Sequence, residues 1–143
     1  MMRIRSDHTV ETALDVDYAA LRARGTRALL FDLDRTLGPR KAKALSGSAL
    51  RLLSELSDEG FAIGILSNRR RPEGDPVMQM LSQRYELLHT ARKPRRRGYL
   101  ALLDRLGVEP GQAAMVGDKW ITDILGAKFL GILAIRVRRP IRD

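Results

Sequence analysis

Short apolar runs alternate with stretches of helical character along this chain, and that alternation constrains the fold more than any other feature. Arg27-Ala28-Leu29-Leu30-Phe31 reads as a buried strand, preceded by a short helix from Tyr18 to Arg24 that Asp17 caps and Gly25 stops. A helix over residues 49–59 follows, with Leu50, Leu53 and Leu56 as its apolar face and Ser46 or Ser48 as its cap. The pattern then repeats. Phe61 to Leu66 is a strand, Val77 to about Arg84 a helix, and Glu86 to Thr90 a weaker strand. Tyr99 to Leu106 is a helix, Ala113 to Gly117 a strand, Ile121 to Phe129 a helix and Ile132 to Val137 a fifth strand. Strands alternating with helices predict an α/β domain, a five-stranded parallel sheet with helices on both faces. Right-handed crossovers then bring the carboxyl ends of all the strands to one edge, where open α/β sheets bind ligands. Residues 1–26 read as a polar arm and short helix, and residues 27–143 as the domain proper.

Composition narrows the chemistry. The 143 residues suit one domain. The absence of cysteine excludes disulfides, thiolate zinc sites and cysteine nucleophiles, and suits a reducing cytosol. His8 and His89, the two histidines, lie in unrelated segments, so a multi-histidine metal site is not expected. No apolar run is long enough to span a bilayer, and the charged first five residues have no apolar stretch behind them, so no secretory signal is expected. The reading is a cytoplasmic protein. Its net charge of +9 favours anionic partners: phosphorylated substrates, acidic lipid surfaces or nucleic acid.

The polar residues that end the strands carry the chemical information. Asp32, Asp34 and Thr36 follow the first strand, and Ser67-Asn68 ends the second. Lys93-Pro94 follows the third, and Gly117-Asp118 ends the fourth, with Asp123 five residues on. Phosphoryl transfer needs such a set: a nucleophile, a metal to bring like charges together, donors around the phosphoryl oxygens and a group to handle the leaving-group proton. Carboxylates can attack phosphorus covalently, and magnesium favours a few carboxylate or carbonyl oxygens together with water and the substrate phosphate.

The four motifs, in this order and each at a strand end, resemble the haloacid dehalogenase superfamily of phosphatases. The resemblance covers about Arg27 to Val137. It implies a Rossmann-like fold and a Mg²⁺-dependent phosphomonoesterase. Asp32 would be the nucleophile, forming an aspartyl-phosphate, and Asp34 the acid and then the base. Thr36 would support the loop that places Asp34 and belong, with Ser67, Asn68 and Lys93, to the phosphate-binding set. Asp32, the Asp34 carbonyl and Asp118 would hold Mg²⁺, and Asp123 would brace Lys93 or the metal's outer shell. The segment from Gly117 through Ala127, with Leu33–Leu37 and Ala91–Pro94, is similar to the subclass IIIA, YqeG-like branch, which includes phosphatidylglycerophosphate phosphatases. Two positions depart from it: Arg35 stands where the branch usually has Asn, and Asn68-Arg69 where it has Asn-Asn.

About thirty residues separate Thr36 from Ser67, and about two dozen separate Asn68 from Lys93. Neither spacing holds a cap domain, which needs roughly 50 residues, so the site is expected to be open. Arg69–Arg71, Arg92, Arg95–Arg97, Arg136, Arg138, Arg139 and Arg142 are expected to rim it. Such a rim suits an anionic membrane lipid as substrate and peripheral contact with the inner face of a membrane. Soluble sugar phosphates or nucleotides are the alternative substrates. A nucleic-acid-binding module on an inherited fold is a further alternative, weakened by an aromatic content of 5%, low for base stacking.

Overall fold

The computed structural model describes residues 8–69, 72–89, 96–118 and 131–142. Six parallel strands form one sheet: β1 (Thr9–Val10), β2 (Ala28–Asp32), β3 (Ala62–Ser67), β4 (Glu86–His89), β5 (Ala113–Gly117) and β6 (Leu133–Val137), in the order β1-β6-β5-β2-β3-β4. Among the described residues the α-helices are α1 (Tyr18–Ala23), α2 (Gly47–Asp58), α3 (Pro76–Ser82) and α4 (Arg96–Leu106). The expected helix over Ile121–Phe129 lies outside the described residues.

The sheet has six strands rather than the expected five, because part of the polar arm joins it. Thr9 and Val10 pair with Arg136 and Val137, and Arg136 and Arg138 donate their N–H groups to His8 and Val10. Backbone hydrogen bonds make this pairing, so the side chains of the arm carry no apolar pattern to announce it.

Strand alternation sorts the core into two layers. Leu29 and Phe31 of β2, Ile63 and Ile65 of β3, and Ala114 and Val116 of β5 join one cluster with residues of α1, α2 and α3. Ala28 and Leu30, Leu66, and Ala113 and Met115 face the other way, toward Tyr99, Leu102 and Leu103 of α4. A parallel sheet covered on both faces follows, which explains why its strands read as continuous apolar runs. Ser46 caps α2 by accepting from the Ala49 N–H, and Asp75 caps α3 by accepting from Val77 and Met78. The buried face of α2 is Ala49, Leu52, Leu53 and Leu56, and Leu50 is exposed. The helical repeat of 3.6 residues explains the difference: 49, 52, 53 and 56 form one continuous stripe, and position 50 falls beside it.

Gly64 in β3 lets α4 approach the sheet. A Cβ there would lie 2.9 Å from Leu30 Cδ2 and 3.1 Å from both Leu102 Cδ2 and Leu106 Cδ1. Gly64→Ala is expected to lower stability in denaturant unfolding by about 1–3 kcal/mol through overpacking. Gly111→Ala, where a Cβ meets nothing within 4 Å, should stay within about 0.5 kcal/mol of the parent.

Candidate active site

The chain runs outward from β2 to β3 and β4, then returns to place β5 on the opposite side of β2. This reversal of strand order falls between β2 and β5, whose carboxyl ends are the usual ligand position in such sheets. Asp32 closes β2. Phe31 stands opposite Val116, so Asp118 lies one residue beyond the position facing Asp32. On the other flank Asp32 pairs with Leu66, and buried Ser67 stands one step further along β3. Three neighbouring strands therefore bring Asp32, Ser67 and Asp118 to one edge, with Asn68 following Ser67.

The loop after β2 is a tight turn. Leu33 donates its N–H to the Leu66 carbonyl at 2.9 Å, extending the ladder by one residue. The N–H of Leu37 returns to the Leu33 carbonyl at 3.1 Å, and that of Arg35 bonds to the Gly38 carbonyl at 2.8 Å. Leu33 and Leu37 plug the core beneath. Arg35 and Lys41 sit in the left-handed region, at φ 64° and 58°, which side chains seldom adopt. Gly38 packs so closely that a Cβ would meet Leu45 Cδ2 at 2.9 Å. Thr36 is fully buried, and its carbonyl accepts from the Ile141 N–H at 3.0 Å. Burial suits a loop-supporting role for Thr36.

The turn delivers Asp34 to Arg69. Arg69 Nη2 lies 2.7 Å from Asp34 Oδ1, and Nε lies 3.1 Å from the same oxygen and 3.3 Å from Oδ2. Its Nη1 reaches Asp75 Oδ2 at 2.8 Å. The Lys41 N–H donates to Asp34 Oδ1 at 3.0 Å, and the Arg69 N–H donates to Ser67 Oγ at 3.1 Å. The guanidinium thus forks between two carboxylates, with its side chain only 10% exposed. Burial pulls the Arg69 pKa down, but hydrogen bonds and charge from Asp34 and Asp75 outweigh this and leave it above its ordinary value. Burial pushes the Asp75 pKa up, but the Arg69 hydrogen bond and the N–H groups of α3 hold it below the usual carboxylate value.

Sequence reasoning placed Arg69 on an outer rim. The structure turns it inward, between Asp34 and Asp75. Asp75 belongs to none of the four motifs, although an Asp before Pro76 at a helix start signals its cap. Other rim residues differ too. Arg138 and Arg139 pair with Glu11 of the arm at 3.1 and 2.9 Å, while Arg97, Arg136 and Arg142 are exposed. Lys93 and Asp123 lie outside the described residues, as do Arg70, Arg71, Arg92 and Arg95.

A cleft of about 1280 Å³ opens beside this cluster. Asp34, Asn68, Arg69 and Asp75 line one part, and Arg35, Arg40, Lys41 and Lys43 another. All 30 residues between Thr36 and Ser67 are described, and they form only the basic loop, α2 and most of β3. The expected absence of a cap holds for that segment.

Asp32, the Asp34 carbonyl and Asp118 would offer an all-oxygen donor set suited to a hard divalent cation such as Mg²⁺, and among the described residues no group of three or more His, Asp or Glu side chains is gathered to hold a metal. Two carboxylates leave positions for water and a substrate phosphate, as magnesium sites require.

Residues 3–131 match the haloacid dehalogenase-like hydrolases, nine-tenths of the chain. The chain belongs to this hydrolase family. It is 35% identical over 130 residues to a phosphoglycolate phosphatase of Rhodospirillum rubrum, an alignment covering 82% of this chain and 50% of the relative. The chain thus spans half the length of that protein. It is also 21% identical to the probable phosphatase YqeG of Bacillus subtilis, over 92% of this chain and 75% of that one. That likeness agrees with the YqeG-like branch read from the motifs. A crystal structure of a HAD phosphatase from Thermococcus onnurineus superposes with a TM-score of 0.58 at 29% identity, over 66% of this chain and 46% of that one.

Asp75 gives a pH test. Its carboxylate is held below the usual value, so its stabilisation is complete above the ordinary Asp pKa of about 4 and is lost as pH falls through the lowered one. Asp75→Asn keeps a cap and removes the charge. It should cost about 1–3 kcal/mol at pH 7, and the difference from the parent should close in acid, as read by urea unfolding at stepped pH.

Proposed function

We propose that the protein is a magnesium-dependent phosphomonoesterase working through an aspartyl-phosphate on Asp32. The observation that carries this reading is the register of β2, β3 and β5, which gathers Asp32, Ser67 and Asp118 at the strand-order reversal, with Asp34 two residues past the nucleophile. Bound magnesium would neutralise the charge that otherwise keeps a carboxylate from a phosphate.

In the first step an Asp32 carboxylate oxygen bonds to phosphorus as the ester P–O bond breaks, and the departing oxygen takes a proton from Asp34. In the second, water gives a proton to Asp34 and attacks phosphorus, releasing inorganic phosphate and restoring the Asp32 carboxylate. Ser67 and the Asn68 N–H would hold phosphoryl oxygens, and Lys93 would add positive charge. Arg69 gives Asp34 a fixed orientation before substrate arrives. Arg69 occupies both Asp34 oxygens, so Asp34 must loosen this fork to meet the oxygen of a substrate.

A small soluble phosphate ester is the better-supported substrate class, on the strength of the relative named as a phosphoglycolate phosphatase. Likeness to the YqeG branch, the uncapped cleft and the exposed Arg136 and Arg142 support the second reading, a phosphatidylglycerophosphate-like lipid. Pairing of Arg138 and Arg139 with Glu11 reduces the charge left for a membrane. Phosphate release from a sugar phosphate, a nucleotide and the lipid phosphate in vesicles separates the classes, and equal sedimentation with acidic and neutral vesicles would remove the lipid reading.

Asp32→Asn should abolish phosphate release, and chelation of magnesium should do the same reversibly. Asp34→Asn should lower kcat by about 10²–10⁴-fold, the usual contribution of a general acid–base. Arg69→Lys keeps the charge but loses the fork, and is expected to lower kcat while leaving a folded protein by circular dichroism.

A further inference from the structure

Four cations of one loop stand beside the candidate proton donor. Arg35, Arg40, Lys41 and Lys43 are all exposed, all line the cleft that Asp34 lines, and none forms an ion pair with another described residue. Among the described residues that line the cleft the carboxylates are Asp34 and Asp75, and Arg69 engages both. Among those residues no further carboxylate offsets the loop's positive charge.

The backbone is held too firmly for this to be a loose solvated tail. Leu37 and Leu45 anchor the loop in the core, Gly38 packs against Leu45, and the Lys41 N–H is bonded to Asp34. Two of the four cationic residues, Arg35 and Lys41, adopt left-handed backbone conformations, which cost energy and persist only where the surrounding structure imposes them.

The direction of the reaction decides what these cations meet. Asp34 protonates the oxygen that leaves phosphorus, so the remainder of the leaving group must extend from Asp34 into the space Asp34 lines. We propose that the 35–43 loop is an anion subsite for the leaving group, so that the substrate bears a second negative group, a carboxylate or a second phosphate, beyond its scissile ester. This rests on the phosphatase reading and deepens it. The Lys41–Asp34 hydrogen bond ties the subsite to the proton donor, so seating the distal anion also steadies Asp34.

Binding tests this without turnover. Titration calorimetry at fixed magnesium compares propylphosphonate, 3-phosphonopropionate and propane-1,3-bisphosphonate, which share a three-carbon skeleton and differ in the distal group. The protein should bind at least one of the two probes with a distal anionic group about tenfold more tightly than propylphosphonate, the effect of a few partly screened charge contacts. The preference should shrink as salt rises. Discrimination by the carboxylate or by the phosphonate alone identifies the distal group. The double variant Arg40→Gln, Lys43→Gln should lose most of the preference. Arg24→Gln, Arg27→Gln removes the same charge at the amino-terminal end of β2 and should keep it. No preference in the parent, or an undiminished one in the Arg40/Lys43 variant, overturns the proposal. Failure of the phosphatase reading shows separately, as no phosphate release from p-nitrophenyl phosphate or any other ester.

Discussion

Hydrogen bonding of β2 on both sides, to β3 and to β5, is the constraint on which the rest of this structure depends. A strand held from two sides has a fixed register, and a slip of one residue would exchange the two core layers. Leu29 and Phe31 would then face α4, and Ala28 and Leu30 would face α2. The same register sets the heights of Asp32, Ser67 and Asp118. Core packing and site geometry are therefore one condition, and the apolar residues of three strands position the polar groups that follow them.

Beyond the strand ends, order passes to the turn. Its hydrogen bonds close on Leu33, its apolar side chains enter the core, and its outward residues are Asp34 and the basic series that follows. Arg69 completes the arrangement from the neighbouring strand. A guanidinium shared by two carboxylates has fewer ways to move than one in a simple pair, because rotation that favours one partner strains the other. The fork also links the loop after β2 to the cap of α3, so the walls of the cleft are joined through a single side chain.

Much of this was legible in the sequence, for identifiable reasons. The β5 run from Ala113 to Gly117 is found as expected, and other strand boundaries differ by a residue or so. Buried parallel strands write themselves as unbroken apolar runs, and Asp17 and Ser46 mark helix starts through their own side-chain hydrogen bonds. The motif residues Asp32, Asp34, Ser67 and Asp118 lie at or next to strand ends because topology alone puts them there. Less legible were features that depend on distant partners. Arg69 lies 35 positions from Asp34, and nothing local separates it from the arginines beside it. The basic residues between 35 and 43 carry no periodic pattern of their own, and only the cleft gives them a common wall. The two-residue strand β1 had no pattern to read, since its pairing is made by the backbone.

That small strand has a consequence for how the molecule behaves among its own kind. Without β1, the outer side of β6 would expose the N–H and C=O groups of an apolar strand, a template on which another chain could build. Thr9 and Val10 occupy that template along Arg136 and Val137, and Glu11 sets a charge beside Arg138 and Arg139 where the pairing ends. A strand this short covers a neighbour while offering little edge of its own. Loss of the arm would uncover β6 and release Arg138 and Arg139 from Glu11, and the first cost would be paid in solubility.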